Sequence, residues 1–365
     1  MRSILLLVAM LPVPALAQEA PPAPSEPAPT EPAAPAPVST ARGEPPVELG
    51  ARIYARYRAA DSDPYHEFEL RRARLALDLH ATPWLSVQLD VDFADAAPLK
   101  DAFVEAAVHP HLSITAGQFK KPFSIIELTP PRRLPLINRG IVNERIVEAG
   151  VDVGGASGLG YGGRDRGVML HGALHKLHYA LGAFNGTRSF DAIDSGKDAA
   201  ARVELRGIKG VRLGASGSMH YRNPEGFEVA DPAVFAAGVD TRIRAGPVTG
   251  VAEVLWAQQR MAGGDQDVLG ALGYVLAWIP LAHDIVLAPV VKGEVLDDDV
   301  SRGGDLAWSF AGGANLHFGD ALRLMLQGDL IERENGSPFE RKRTVVLQLA
   351  FDHKEPLARA APVEP

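Results

Sequence analysis

The feature that most constrains the fold is an alternation of apolar and polar residues that recurs along the chain from residue 48 onward. In WLSVQLDVDF (84–93), every odd-numbered position from Leu85 to Phe93 is apolar, and the positions between them are Ser, Gln or Asp. In DALRLMLQGDL (320–330), leucines alternate with Arg323, Met325 and Gln327. Side chains alternate between two faces with period two only in a β-strand, so the sequence predicts an all-β protein.

The spacing of these segments indicates a closed barrel. Sixteen strands of about 9–14 residues can be placed within 48–351, which is enough for tilted strands to cross a bilayer. Tight turns such as ATP (81–83) alternate with longer loops such as AADSDPYH (59–66). We therefore expect a transmembrane antiparallel β-barrel of about 16 strands, the size that leaves an aqueous channel. Two segments, 247–260 and 283–296, mix their faces, so fourteen or eighteen strands remain alternatives.

The two ends of the chain carry different signals. Residues 1–17 have a basic start, an apolar run and the small-x-small motif Ala15-Leu16-Ala17, which together predict a signal peptide. Residues 18–47 are rich in Pro and Ala and are expected to form an extended periplasmic spacer. The barrel is expected over 48–351, and residues 352–365 are expected to be a C-terminal tail. An exported barrel of this kind belongs in a bacterial outer membrane.

Composition and motif searches exclude several functions. The net charge of −8 argues against a nucleic-acid partner, and the lack of cysteine excludes disulfides and thiolate metal sites. The glycines at 158, 160 and 163 match a dinucleotide motif, but no helix is expected after them. His171, His175 and His178 are interpreted as turn and lumen residues, so no metal and no other cofactor is expected. No Ser-His-acid arrangement stands out, which argues against an enzyme.

Three stretches near the first third of the chain resemble one known family. They are LRRARLALDLH (70–80), VDFADAAPLKDAFVEAAVH (91–109) and AGQFKKPFSIIELTPPRRLPLINRG (116–140). Their order and spacing are similar to those of the phosphate-selective porin O and P family. The resemblance implies a sixteen-stranded outer-membrane porin, usually a homotrimer, that passes anions including phosphate and polyphosphate. Beyond residue 170 only the alternation continues.

The segment 120–165 is the longest expected loop and combines apolar residues, prolines and bases. In porins the third loop folds into the barrel and narrows the channel, and the mixed chemistry here fits that position. Phe123, Ile125, Ile126 and Leu128 are expected to pack against the wall. The prolines are expected to stiffen the loop. A loop of this length is usually functional.

Basic residues from this loop and from the first two strands are the predicted binding site for anionic solutes. Arginine suits this role because its planar fork pairs with two phosphate oxygens, whereas lysine acts as a point charge. The predicted substrate-binding residues are Lys120, Lys121, Arg132, Arg133, Arg139, Arg56, Arg72 and Arg74.

Alternatives remain open at this point. The same arginines could instead pair with Glu127, Glu144, Asp90, Asp92 and Glu105 and only hold the loop. The acidic balance, including the run of three aspartates at 297–299, favours weak or cationic selectivity. The leading hypothesis is passive diffusion of small hydrophilic anions, with outer-membrane lipid as the surrounding partner. The other two are an outer-membrane lipid hydrolase and a plugged structural or adhesive barrel.

Overall fold

The computed structural model describes residues 47–61, 63–153, 156–186, 197–221, 233–261, 264–282, 284–335, 337 and 339–356. The wall of the molecule is built from the following strands: β1 (Val47–Ala60), β2 (Asp63–Thr82), β3 (Leu85–Asp92), β4 (Leu99–His109), β5 (Leu112–Lys120), β8 (Arg164–Leu174), β9 (Leu177–Phe184), β10 (Lys197–Ile208), β11 (Val211–Tyr221), β12 (Ala233–Ala245), β13 (Val248–Met261), β14 (Gly264–Ala277), β15 (Ile279–Ala282), β16 (Ile285–Asp297), β17 (Leu306–Phe318), β18 (Leu322–Arg333) and β19 (Lys342–Pro356). A separate hairpin, β6 (Ala149–Val153) and β7 (Ala156–Leu159), lies between β5 and β8. The helical elements α1 (Ile125–Leu128) and a π-helix (Asn143–Val147) precede that hairpin.

The wall strands form one closed antiparallel ring. Neighbouring strands pair in chain order, and β1 pairs both with β2 and with the last strand, β19. The short β15 continues β14 past Trp278, so the ring has sixteen barrel strands. The predicted sixteen-stranded barrel is confirmed. Closure matters because no water is available in the hydrocarbon layer to satisfy an unpaired strand edge.

The two faces of the wall differ as the alternation predicts. On β18, Leu326 is 53% exposed, whereas its neighbour Gln327 is 2% exposed and belongs to the inner face. The same contrast separates exposed Leu347 and Leu349 from buried Gln348 on β19. The outer face is therefore an apolar, lipid-facing surface, and the inner face carries the polar residues.

The proline inside the β16 segment has a local explanation. Pro289 pairs with Ala314 on β17, but the pairing on its other side is interrupted there. The β14 ladder ends at the pair Leu276–Val290, and the β15 ladder begins at Ile279–Leu287. A proline has no N–H to donate, so it is accommodated where the neighbouring ladder is already broken.

Two expected boundaries differ from the structure. Residues 59–66 were expected to form a loop, but β1 and β2 pair as far as Ala60 and Asp63, so this connection is a short hairpin. The last strand was expected to end at residue 351, but it continues to Pro356, which pairs with Glu48. Ion pairs from Lys354 to Glu48 and Asp78 stabilise this extension across three strands.

The predicted signal peptide (1–17), the spacer up to residue 46 and residues 357–365 of the tail lie outside the described residues. Among the helices of the described part of the chain, none has the length and apolar composition needed to span a bilayer.

Candidate functional site: the long loop and the basic residues

The segment between β5 and β8, residues 121–163, is called the long loop below. Its apolar residues are buried, including Phe123 and Ile126, which are fully inaccessible to solvent. They join one hydrophobic cluster with wall residues such as Leu255 and Val268. Of the four apolar residues expected to pack, Phe123, Ile125 and Ile126 are buried, and Leu128 is half-buried.

This packing explains why the segment 247–260 mixes apolar and polar residues on one face in the sequence. On β13, Val251, Leu255 and Ala257 share the buried face with Glu253. Their neighbour Val254 is exposed on the opposite face. A wall strand facing water would carry polar residues inside, but a strand covered by the long loop needs apolar ones there. The mixed pattern is therefore a signature of the loop contact.

The beginning of the long loop is held by one buried carboxylate. Ser124 Oγ donates to Glu253 Oε2 at 2.8 Å, and Ile125 N donates to Glu253 Oε1 at 2.8 Å. Ser124 has φ +67°, a left-handed conformation that costs energy for a residue other than glycine. The strained turn directs the hydroxyl of Ser124 to Glu253, and the same oxygen accepts the N–H of Glu127 in the first turn of α1.

Lys121 belongs to a second anchor. Its Nζ lies 2.8 Å from Asp198 Oδ2 on β10 and 2.8 Å from the Gly160 carbonyl at the other end of the loop. His220 Nδ1 is 2.7 Å from the same carboxylate oxygen, and Tyr161 stacks on the His220 ring with centroids 4.1 Å apart. Lys121 is buried, at 3% exposed. Because it lies at the start of the loop and contacts both Gly160 and Asp198, it ties both ends of the loop to the wall.

The proline-rich middle of the loop is bound through its carbonyl groups. Arg323 donates to the carbonyls of Leu134 and Pro131 at 3.0 and 3.1 Å, and Asn315 donates to that of Pro135 at 2.9 Å. Irregular backbone leaves these carbonyls without ladder partners, and the inner-face side chains of β17 and β18 satisfy them.

The later part of the loop is also tied to the wall. Arg145 of the π-helix is 1% exposed and contacts Asp298 and Gln259. One member of the acidic run 297–299 is therefore neutralised by a loop arginine. Lys292 and Glu294 on β16 form a buried pair at 2.8 Å, and Lys292 also reaches the carbonyl of Arg139.

Two of the predicted basic residues meet at one carboxylate. Lys120 Nζ lies 3.0 Å from Glu127 Oε1, and Arg139 Nε lies 3.2 Å from Glu127 Oε2. Burial raises the pKa of Glu127, but the positive charges of Arg139 and Lys120 outweigh it and lower that pKa to about 2. The carboxylate is therefore ionised at neutral pH, and it is shared by two basic side chains, of which Arg139 is permanently charged.

The predicted arginines of β2 form a different arrangement on the wall. Arg74 lies 3.3 Å from Asp90 and 3.2 Å from Asp92, and Arg72 lies 3.5 Å from Asp92. The guanidinium of Arg72 also lies 5.3 Å from the centroid of the Tyr54 ring.

On β1 the arginines are paired as well. Arg56 pairs with Glu69, Arg58 pairs with Glu67, and Arg52 bridges Asp90 and Asp352. Taken together, this wall group has five arginines and five carboxylates, and its charges balance. The expectation that wall arginines pair with Asp90 and Asp92 matches these contacts, whereas Glu105 lies 3.9 Å from His171.

The remaining predicted residues are Arg132 and Arg133, which are half-buried in the loop and have interaction partners. Sequence reasoning missed Arg164, whose Nε and Nη2 each lie 2.8 Å from an oxygen of Asp101. It is close enough to interact electrostatically with Glu127. Its place at the start of β8, where the long loop ends, was the only signal in the sequence.

A cavity of about 340 Å³ lies between the long loop and the wall formed by β1 and β16–β19. Its charged lining residues are Arg56, Arg58, Lys292, Lys342, Glu144, Asp329 and Glu340. Burial and the nearby charges of Glu148 and Glu294 raise the pKa of Glu144 to about 7. The charge of this cavity therefore changes within the physiological pH range.

Comparison with solved structures gives the fold of outer-membrane porins. The anion-selective porin from Comamonas acidovorans has a TM-score of 0.65 at 11% identity, covering 85% of this chain and 100% of that one. OmpF of Salmonella typhi, solved with daunomycin, has a TM-score of 0.60 at 11% identity and coverages of 84% and 97%. OmpT of Vibrio cholerae, in its trimer form, has a TM-score of 0.58 at 10% identity and coverages of 84% and 99%.

Comparison with curated proteins gave no match. The family model described as phosphate-selective porin O and P matches residues 47–247, which is more than half of the chain. That match covers the three stretches identified in the sequence, together with the long loop and the wall arginines. The barrel is thus a porin channel of the outer membrane rather than an enzyme, and the chain belongs to the phosphate-selective porin O and P family.

Proposed function

We propose that this porin is a channel for passive diffusion of small hydrophilic anions such as phosphate, with the long loop forming a basic constriction. Arg164 joins the predicted residues in this constriction, which are Arg56, Arg72, Arg74, Lys120, Arg132, Arg133 and Arg139. Lys121 is assigned a different role, since it is buried against Asp198. The names of the family and of the Comamonas porin refer to phosphate and anion selectivity in those proteins and support the proposal.

One observation carries the proposal: Lys120 and Arg139 share Glu127 as their carboxylate. Arg139 is permanently charged and neutralises Glu127, so a proton on Lys120 is a positive charge that the nearest acid does not cancel. Both side chains keep partial solvent access, at 15% and 17%. Exposed charges farther away than about 10 Å are screened at moderate salt, so this local excess can outweigh the acidic total of the chain.

The wall arginines contribute spare hydrogen-bond donors even though their charges are balanced. A guanidinium has five N–H groups, and a carboxylate partner uses two of them at most. Arg72 Nε and Nη1 are buried, and Nε lies 3.5 Å from Asp92, so these two donors face the wall. A passing phosphate can reach the donors that keep solvent access, such as those of Arg56 and Arg58, which are 14% and 27% exposed. Several weak sites in series let an anion enter and leave, as conduction requires.

We also propose that the chain assembles as a homotrimer in the outer membrane. The Vibrio cholerae OmpT structure is described as a trimer form, and the resemblance of the first third of the chain carries the same expectation.

The proposal is tested by planar-bilayer recording of the purified porin in a salt gradient. We expect a reversal potential that indicates anion preference and partial block by added phosphate. Arg139→Gln, Lys120→Gln and Arg133→Glu should each lower the preference, whereas Glu127→Gln should raise it. Lys209→Gln is the matched control, because it removes the same charge from the exposed turn between β10 and β11.

A cation-selective wild type, or equal reversal potentials for Arg139→Gln and Glu127→Gln, would contradict the basic constriction. Absence of conductance steps in folded wild type would instead favour the plugged structural barrel.

A further inference from the structure

The lipid-facing surface has a row of two glycines, a valine and an alanine that crosses four strands. Gly312 on β17 lies opposite Gly328 on β18, and Gly328 lies opposite Val345 on β19. Val345 in turn lies opposite Ala59 on β1. A Cβ added at Gly312 would meet nothing within 4 Å, so the space above this row is open.

Bulky residues border the row on both sides. Two residues farther along each strand, toward the end of the barrel that carries the longer loops, Phe310 lies opposite Leu330. On the other side, Leu326 lies opposite Leu347. A depression of about 720 Å³ in the outer face includes the part of the row formed by Gly328, Val345 and Ala59. Phe310 and Leu330 also line it, together with polar residues at its outer end. Its shape suits a flexible hydrocarbon chain lying across the strands.

Arg343 is the basic residue that lines this depression, and Asp61 and Asp329 are its acidic lining residues. Arg343 lies opposite Leu330 at the beginning of β19, directly after the 334–341 connection. It is exposed, and its guanidinium has no hydrogen bond or ion pair in the described part of the chain. Asp61 Oδ1 accepts the backbone N–H of Arg343 at 2.8 Å, and within the described residues no ion pair joins this carboxylate to the guanidinium.

An unpaired arginine on the outer face of a barrel is tolerated only near the headgroup level. The strand ends that are joined by the longer loops are the outer ends, because the periplasmic turns of such barrels are short. His66 also lines the depression and lies beside Tyr57, with ring centroids 6.0 Å apart, and Tyr57 in turn packs on Phe68. Aromatic side chains of this kind sit at the membrane–water interface.

We propose that this depression binds an outer-leaflet lipid with a phosphate headgroup. An acyl chain occupies the row over Gly312 and Gly328, and the phosphate pairs with the guanidinium of Arg343. Charge complementarity selects an anionic headgroup, because arginine binds phosphate oxygens in a bidentate fork. A second copy of the chain could take the place of the lipid only if it placed a carboxylate from its own lipid-facing surface against Arg343.

The test uses the full porin in detergent, incubated with bisphosphorylated lipid A or with its dephosphorylated form. Retained lipid is measured by native mass spectrometry. Wild type should retain the phosphorylated lipid at least about tenfold better, the preference expected when a charge-assisted pair is made or lost. Arg343→Gln should abolish that preference, and Gly312→Leu should abolish retention of both forms, because leucine fills the open space.

Two matched controls keep the test specific. Arg341→Gln removes a nearby arginine that is already paired with Glu332, and it should leave retention unchanged. Gly217→Leu adds the same side chain to a lipid-facing glycine on β11, where the nearest heavy atom is 3.8 Å from the added Cβ. Each variant is first shown to be a folded barrel by its resistance to heat in detergent.

Equal retention of both lipids by wild type, or unchanged retention in Arg343→Gln and Gly312→Leu, would overturn the proposal. A change of oligomeric state in Gly312→Leu with lipid retention intact would also overturn it, because the occupant would then be a second copy.

Discussion

The two sides of the barrel interior use their buried charges differently. On the side of β10–β18, wall side chains such as Glu253 and Arg323 bind the backbone or a hydroxyl of the long loop, next to wall ion pairs such as Lys292–Glu294. On the side of β1–β3, arginines and carboxylates bind each other in neighbouring register positions. The difference shows that an inner-face charge serves either to hold the loop or to form a balanced polar wall, and that its partner decides which.

Breaking the anchor between Lys121 and Asp198 should have the largest effect on conductance. Lys121→Glu places a second negative charge beside buried Asp198 and removes the tie to Gly160. Loss of a buried ion-pair partner costs about 3–5 kcal/mol, which is enough to release this end of the loop. We expect larger, noisier single-channel conductance and faster proteolysis within 121–163.

Lys209→Glu, at an exposed turn, is the control for the added charge. If Lys121→Glu gave wild-type conductance and wild-type proteolysis, the loop would not depend on this anchor.

A smaller effect on selectivity is expected from changing the protonation of Glu144, which lines the cavity between the long loop and the wall. Burial, Glu148 and Glu294 raise the pKa of Glu144 to about 7, so this carboxyl gains a proton as the pH falls through 7. Protonation removes a negative charge from a cavity that also contains Arg56 and Lys292. Anion preference should therefore rise between pH 8 and pH 6, as measured by reversal potential.

The sign for stability follows the same direction. Because the folded protein holds this proton more tightly than the unfolded chain, Glu144 disfavours the folded state as the pH rises from about 4.5 to 7. Glu144→Gln should remove the pH dependence of selectivity. A pH response of the same size in Glu144→Gln would assign it to other groups.

The smallest effect is expected from removing a balanced pair on the wall. The double variant Arg74→Gln with Asp92→Asn deletes one positive and one negative charge that lie 3.2 Å apart. The net charge of the wall group is unchanged, so the reversal potential should stay near that of wild type. Arg74→Gln alone should shift the reversal potential toward lower anion preference, and Asp92→Asn alone should shift it toward higher anion preference. Each shift should be about the effect of one charge.

A large shift in the double variant, exceeding that of Arg74→Gln alone, would show that the geometry of the arginines matters more than their balance.

Much of the fold could be predicted because it depends on local periodicity. The strand 84–93 alternates so regularly that its bounds differ from those of β3 by one residue at each end. Where long-range contact overrides the local pattern, prediction was weaker. The segment 247–260 looked irregular because its inner face is covered by the loop, and residues 59–66 looked like a loop because they are polar.

The sequence by itself determined the barrel class, the approximate number of strands and the position of the long loop, because period-two alternation and turn residues act over a few neighbours. Only the tertiary structure decided which bases share a carboxylate. Lys120 and Lys121 are adjacent, yet one contacts Glu127 within the loop and the other Asp198 on β10. Their side chains diverge at the end of a strand, and strand closure and loop docking then set the partner of each.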